Sequence, residues 1–145
     1  MDVRPYSIAD REACLAVFDS NDVNPESGSR SEFVAFLDDL SSPYFVMDHD
    51  GAIVGCGGFR VDREQKTAEL EFGMIRRDAQ KQGLGRFLLL YRIREISKAG
   101  GIERVLLSAL PEMVPFFEKQ GFKVDRFSSP DAGHIRMVMK LSVCP

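Results

Sequence analysis

Gln80-Lys81-Gln82-Gly83-Leu84-Gly85-Arg86 stands between a strand-like stretch, Thr67 to Arg76, and a helical one that runs to about Ala99. Two glycines one residue apart at the mouth of a helix let the backbone come close to an anion. The unpaired N–H groups of the helix's first turn point at that anion, and the helix dipole favours its charge. A Walker loop requires Gly-Lys-Ser/Thr, whereas Gly85 is followed by Arg86 and Phe87. A dinucleotide fingerprint requires a third glycine where Leu88 stands. Both readings fail, which holds back a flavin- or nucleotide-binding α/β domain. Arg76, Arg77, Lys81 and Arg86 crowd the loop, and their coincidence with it favours a polyanionic ligand over a merely solvated basic edge.

Outward from the loop, helix and strand signals alternate. Val3 to Tyr6 reads as a short strand, and Ser7 with Asp10 as a capping pattern for a helix to about Ser20. Asn21 to Ser29, with Pro25 and Gly28, reads as a loop. Phe33, Phe36, Leu37 and Leu40 make Ser31 to Leu40 an amphipathic helix. Tyr44 to Met47 and Ala52 to Val61 are strands joined through the hairpin signal His49-Asp50-Gly51. Gly55, Gly57 and Gly58 inside the second predict a bulge or a close backbone approach.

The helix after the loop is apolar nearly all round in its first half (Leu84, Phe87, Leu88, Leu89, Leu90, Tyr91), which predicts packing against a sheet. Gly100-Gly101 supplies its cap. Arg104 to Ser108 is a buried strand, and Pro111 opens a short helix to Gln120 that Gly121 stops. Phe122 to Phe127 and His134 to Leu141 are the last strands. In the final one Ile135, Met137, Met139 and Leu141 share a face opposite His134, Arg136 and Lys140.

The 145 residues suit one domain that buries roughly two thirds of its unfolded surface. No apolar run reaches the ~20 residues of a membrane span. The start, Met1-Asp2-Val3-Arg4-Pro5, lacks the apolar core of a signal peptide, so a cytoplasmic protein is expected. Cys14, Cys56 and Cys144 have no metal-ligand spacing and read as reduced thiols. A net charge of −3 gives no support for a general nucleic-acid binder.

The loop fits Gln/Arg-x-x-Gly-x-Gly/Ala, and Phe116-Phe117-Glu118-Lys119-Gln120-Gly121-Phe122 fits aromatic-aromatic-Glu-Lys-x-Gly-Phe. With the element order β-α-α-β-β-β-α-β-α-β-β, the chain resembles the GNAT superfamily of acyl-CoA-dependent N-acetyltransferases, closely from Thr67 to Phe122 and by pattern alone before it. The resemblance implies a single GNAT domain over 1–145. Its fold would be α/β, a mixed, mostly antiparallel sheet of about six or seven strands with helices on both faces. It implies acetyl-CoA as cosubstrate and no metal. The pyrophosphate would lie on the amides of Gln82 to Gly85, near Lys81 and Arg86, with Arg77, Gln80 and Leu84 in the same site. The backbone of Ile75 would pair with the pantetheine arm, and Phe117 would wall it.

Moving an acetyl group from a thioester to an amine requires a base for the amine's proton and a fixed donor for the oxyanion. It also requires a place for the leaving thiolate. Glu69 and Glu71 are two apart on one strand, project from one face, and would raise one another's proton affinity. By resemblance Glu69 matches the base of histone-type members, and the N–H of Gly73 matches the oxyanion donor.

The chain departs from the family where a tyrosine often protonates the thiolate, because Phe117 has no hydroxyl. An asparagine often found after the fifth strand is also replaced by Ser108-Ala109-Leu110-Pro111, leaving Ser108 or water as the acid. His134 is a weaker acid-base candidate, reaching the acceptor through Ser128 to Gly133. His49 reads as a solvated turn residue and Cys56 as a buried strand thiol.

The leading expectation is direct attack of a bound primary amine, on a small molecule or a peptide, within a ternary complex. The acceptor pocket would draw on Leu15–Phe18, Phe33–Leu40, Glu69, Glu71 and the loop before His134, with Glu26, Glu32 and Asp38 attracting a cation. The alternative is a catalytically silent acyl-CoA-binding module. Relatives often dimerise through the C-terminal strand, and a homodimer is one option here.

Overall fold

The computed structural model describes residues 1–22, 28–126 and 133–141. Its strands are β1 (Asp2–Pro5), β2 (Tyr44–His49), β3 (Ala52–Asp62), β4 (Thr67–Ile75), β5 (Arg104–Ala109), β6 (Lys123–Val124) and β7 (Ile135–Lys140). The helices are α1 (Arg11–Ser20), α2 (Arg30–Asp38), α3 (Leu84–Ala99) and α4 (Val114–Lys119). The described strands form one sheet in the order β1-β2-β3-β4-β5-β7-β6. All neighbours are antiparallel except β4 and β5.

Helices cover both faces, as expected. Leu89 and Ile96 of α3 and Phe117 of α4 pack with Phe59, Ala68, Leu70, Val105 and Leu107 on one face. Cys14, Leu15 and Val17 of α1 and Phe33 and Leu37 of α2 pack with Tyr44, Val46, Cys56 and Met74 on the other. The stripe on α2 is therefore core. Local signals set the helix starts. Ser7 and Asp10 form a capping box over a 3-10 turn before α1, and Ser29 with Glu32 forms another for α2.

Three expectations need adjustment. Phe87 and Leu90 are 49% and 41% exposed, because α3 lies against the sheet by one stripe only. The helix expected to reach Leu40 ends at Asp38. Among the described residues, the strand expected over Phe122 to Phe127 is realised at Lys123 and Val124, beyond which the Asp125 N–H donates to the Arg136 carbonyl at 2.8 Å. Pro25, Glu26, Phe127, the stretch 128–132, Cys144 and the rest of the tail after Leu141 lie outside the described residues.

Candidate active site

The glycine loop leaves β4 through a 3-10 turn at Arg77–Ala79 and enters α3 through Gly83, whose φ of 83° is left-handed and favours glycine. The first bond of α3 runs from the Phe87 N–H to the Gly83 carbonyl, 3.1 Å. The N–H groups of Leu84, Gly85 and Arg86 thus precede the helical ladder. A Cβ on Gly85 would come into ordinary contact with Phe116 and Ile75, at 3.8 and 3.9 Å, so its absence leaves that space over the first turn unfilled. An anion fits there. The Gln80 side chain is not free to join it: its Nε2 donates to Asn21 Oδ1 (2.7 Å) and to the Ile75 carbonyl (3.0 Å), tying the loop to α1 and to the end of β4.

The strand upstream of the loop is bulged. Gly58 pairs with Glu71 and Cys56 with Met74, so Phe72 and Gly73 together oppose the single residue Gly57. The bulge breaks the alternation of β4: Leu70 faces α3, yet Met74 faces α1 and α2. Phe72 carries a φ of 48°, a strained value for a bulky residue. Its surroundings hold it there. Tyr44 Oη donates to the Phe72 carbonyl at 2.8 Å, and the Phe72 ring lies 5.1 Å from Phe33 and 4.8 Å from Phe36. The glycines of β3 serve the same crowding: a Cβ on Gly58 would overlap the Pro43 carbonyl and one on Gly55 the Ile75 side chain. This is the close approach that the sequence predicted.

The parallel pairing of β4 with β5 stops at Glu69 and Leu106, while both strands continue, to Ile75 and Ala109. Beyond Glu69 the two strands part. A cavity of about 440 Å³ fills the gap on the α3 side. The loop residues Gln80, Lys81, Gly83, Gly85 and Arg86 line it, as do Gly73, Met74, Ile75, Phe116 and Phe117. Gln82, Leu84 and Arg77 do not line it. Arg77 is exposed and pairs with Asp22 at 3.6 Å.

Glu69 and Glu71 share one face, as the spacing implied, but their surroundings differ. Both oxygens of Glu69 accept from Arg136, at 2.8 and 3.0 Å, and Arg136 also donates to Ser108 Oγ at 2.7 Å. Ser108 is thereby engaged, and it does not line the cavity. Glu71 is largely buried, with its Oε1 lacking a hydrogen-bond partner among the described residues. The nearest cation, Arg60, stands 3.7 Å away, too far for a hydrogen bond. Burial raises the proton affinity of the Glu71 carboxyl; Arg60 opposes this and Glu69 adds to it only last. Burial, not mutual repulsion, is thus the main cause.

Arg136 and Tyr44 escaped the sequence reading. Arg136 lies opposite the apolar stripe of β7, and only the register Ser108↔Arg136 across β5 reveals its reach. Among the described residues no group of three or more His, Cys, Asp or Glu side chains is placed to hold a metal, and no helix is long and apolar enough to cross a membrane.

The fold is that of several solved acetyltransferases. The ribosomal-protein-S18-alanine N-acetyltransferase from Escherichia coli matches with a TM-score of 0.78 at 20% identity, over 99% of this chain and 96% of that one. Tetrahymena GCN5 matches with 0.78 at 17% identity, over 98% and 97%. N-acetylglutamate synthase from Neisseria gonorrhoeae, solved with coenzyme A and N-acetyl-glutamate, matches with 0.77 at 18% identity. That match covers 98% of this chain but only 35% of the synthase. At these identities the likeness concerns the fold alone. The family profile reaches further, because it matches residues 13–122, from α1 through the bulge and the glycine loop to Phe122. The chain belongs to the acetyltransferase (GNAT) family.

Proposed function

We propose that the chain, as a single domain over 1–145, transfers an acetyl group from acetyl-CoA to a primary amine by direct attack in a ternary complex. One observation carries this reading: a single cavity joins the bare N–H groups at the head of α3 to the bulge at Gly73, where β4 and β5 part. The pyrophosphate would sit over the head of α3 at Gly83, Gly85 and Arg86, with Lys81 and Arg86 opposing its charge. The arm would lie between Ile75 and Phe117, with the Gly73 N–H facing the acetyl oxygen. Glu71 takes the amine's proton, since burial suits its carboxylate to a base. Glu69, held by Arg136, positions that wall of the acceptor site. The acceptor would be a small-molecule or peptide amine in the cytoplasm.

The test is calorimetric titration with acetyl-CoA, CoA and ATP, followed by turnover with a panel of amines. Binding shared by acetyl-CoA and CoA but not ATP is expected; absence of both would refute the site.

Phe117 favours a second reading, an acyl-CoA-binding module without transfer, because its ring cannot protonate a thiolate. Loss of turnover in Glu71→Gln, with CoA binding kept, would reject that reading. Binding with no turnover on any amine would favour it.

A further inference from the structure

Arg92 is a charged side chain buried to 2% exposure on the stripe of α3 that faces the sheet, in line with Leu88, Leu89 and Ile96. Taking such an ion out of water costs several kcal/mol, whereas a methionine would fill similar space without that cost. The fold makes room for it at Gly57. A Cβ there would stand 3.2 Å from Arg92 Cζ, 3.3 Å from its Nε and 3.0 Å from Gly73 Cα. Arg92 Nη1 also reaches the Gly58 carbonyl at 3.3 Å. The guanidinium is therefore fixed beside the β3–β4 bulge, close to Gly73, and Arg92 lines the same cavity as Gly73 and Phe117. It lies about 12 Å along α3 from Leu84, so the phosphate cradle at the helix start does not account for it.

We propose that the Arg92 guanidinium holds the negative charge of the departing CoA thiolate, at the place where Phe117 has no proton to give. The proposal rests on the acetyl-transfer reading above. In that step the acceptor nitrogen bonds to the acetyl carbon and its proton passes to the Glu71 carboxylate. The C–S bond breaks, and its electron pair leaves on sulfur beside Arg92. The thiolate later takes a proton from water. A buried, fixed cation stabilises such developing charge more than a solvated one does. Tyr44, an ionisable group within electrostatic reach of Arg92, adds no opposing charge, since burial keeps its phenol protonated.

The experiment is titration of the thiol of bound CoA by its ultraviolet thiolate absorbance, with the desulfo-CoA complex as blank so that the chain's three cysteines cancel. In the wild type the bound thiol should titrate about 1–3 pH units below free CoA, the effect of a nearby opposite charge. Arg92→Lys should keep most of that shift. Arg92→Met and Arg92→Gln should abolish it while CoA affinity changes by no more than a few-fold. A bound thiol that titrates like free CoA in the wild type overturns the proposal even if both neutral variants fail to fold. An equal shift in the wild type and both neutral variants also overturns it. Failure of the wild type to bind CoA at all would instead overturn the transfer reading beneath it.

Discussion

The two sides of the split between β4 and β5 are built by different means. On the α3 side, backbone and apolar wall shape the cavity around the cations Lys81, Arg86 and Arg92: the left-handed turn at Gly83, the first turn at Gly85, the bulge at Gly73 and the ring of Phe117. On the other side, the sheet presents charges that meet across strands far apart in sequence: Arg136 with Glu69 and Ser108, and Arg60 with Glu71. The shape of the first side rests on its backbone conformations. The second depends on single side-chain atoms.

Glu71→Gln probes the charged side and should have the largest effect. Loss of the base should lower kcat about 10²–10⁴-fold while leaving CoA affinity unchanged. The same variant makes a stability prediction whose sign is fixed. Because the folded Glu71 carboxyl holds its proton to higher pH than the unfolded one, stability falls as pH rises from about 4.5 through the raised folded value. Thermal melts should therefore show Glu71→Gln more stable than wild type at neutral pH, with the difference gone below that window. A constant difference across pH would show that the buried carboxylate carries no strain.

Gly83→Val probes the cavity side. No atom lies within 4 Å of a Cβ built there, so the effect is conformational: a β-branched residue at a φ of 83°. Calorimetry should show CoA affinity reduced more than about a hundredfold, as expected if the strain of a non-glycine left-handed residue and the lost amide contacts add. The fold should survive. Retained affinity would mean that the helix head is not the anion site.

Two substitutions at the bulge test how rigidly the sides are joined. Gly57→Ala presses on both Gly73 Cα and Arg92, and should cost about 1–3 kcal/mol as overpacking. Tyr44→Phe removes the hydrogen bond to the Phe72 carbonyl, worth about 1 kcal/mol. In both cases the midpoint of denaturant unfolding gives the cost. If the bulge aims the Gly73 N–H, kcat should fall with no matching rise in KM for acetyl-CoA.

The same division governs what could be read from the sequence. Gly83 and the capping pairs act through local conformation, so their spacing announced the loop and the helix starts; the glycines of β3 make room for distant groups, yet glycines inside a strand are themselves a sign of such crowding. Phe72 gave no such sign. Its positive φ is imposed by Tyr44, Phe33 and Phe36, all distant in sequence. Glu69 and Glu71 look equivalent as letters two apart. Arg136 separates them, and its contact with Glu69 depends on β7 lying beside β5, an order that the chain does not spell out. Phe87 and Leu90 misled for a related reason, since an all-round apolar helix segment does not say how much of it the sheet covers.

The smallest expected effect separates two arginines that the sequence placed together. Arg77 and Arg86 both flank the glycine loop, yet Arg86 lines the cavity, whereas Arg77 points into solvent beside Asp22. A charge-assisted bond to a phosphate contributes about 1.5–3 kcal/mol, so Arg86→Ala should weaken CoA binding about ten- to a hundredfold. An exposed pair such as Arg77–Asp22 contributes about 1 kcal/mol or less, so Arg77→Ala should change CoA affinity by less than about five-fold. Raising salt should shrink the Arg77 effect first, because its charge is solvent-exposed and stands outside the cavity that Arg86 lines. Equal losses in the two variants would place the phosphates across the outer edge of the loop, over Arg77, and would move the polyanion away from the head of α3.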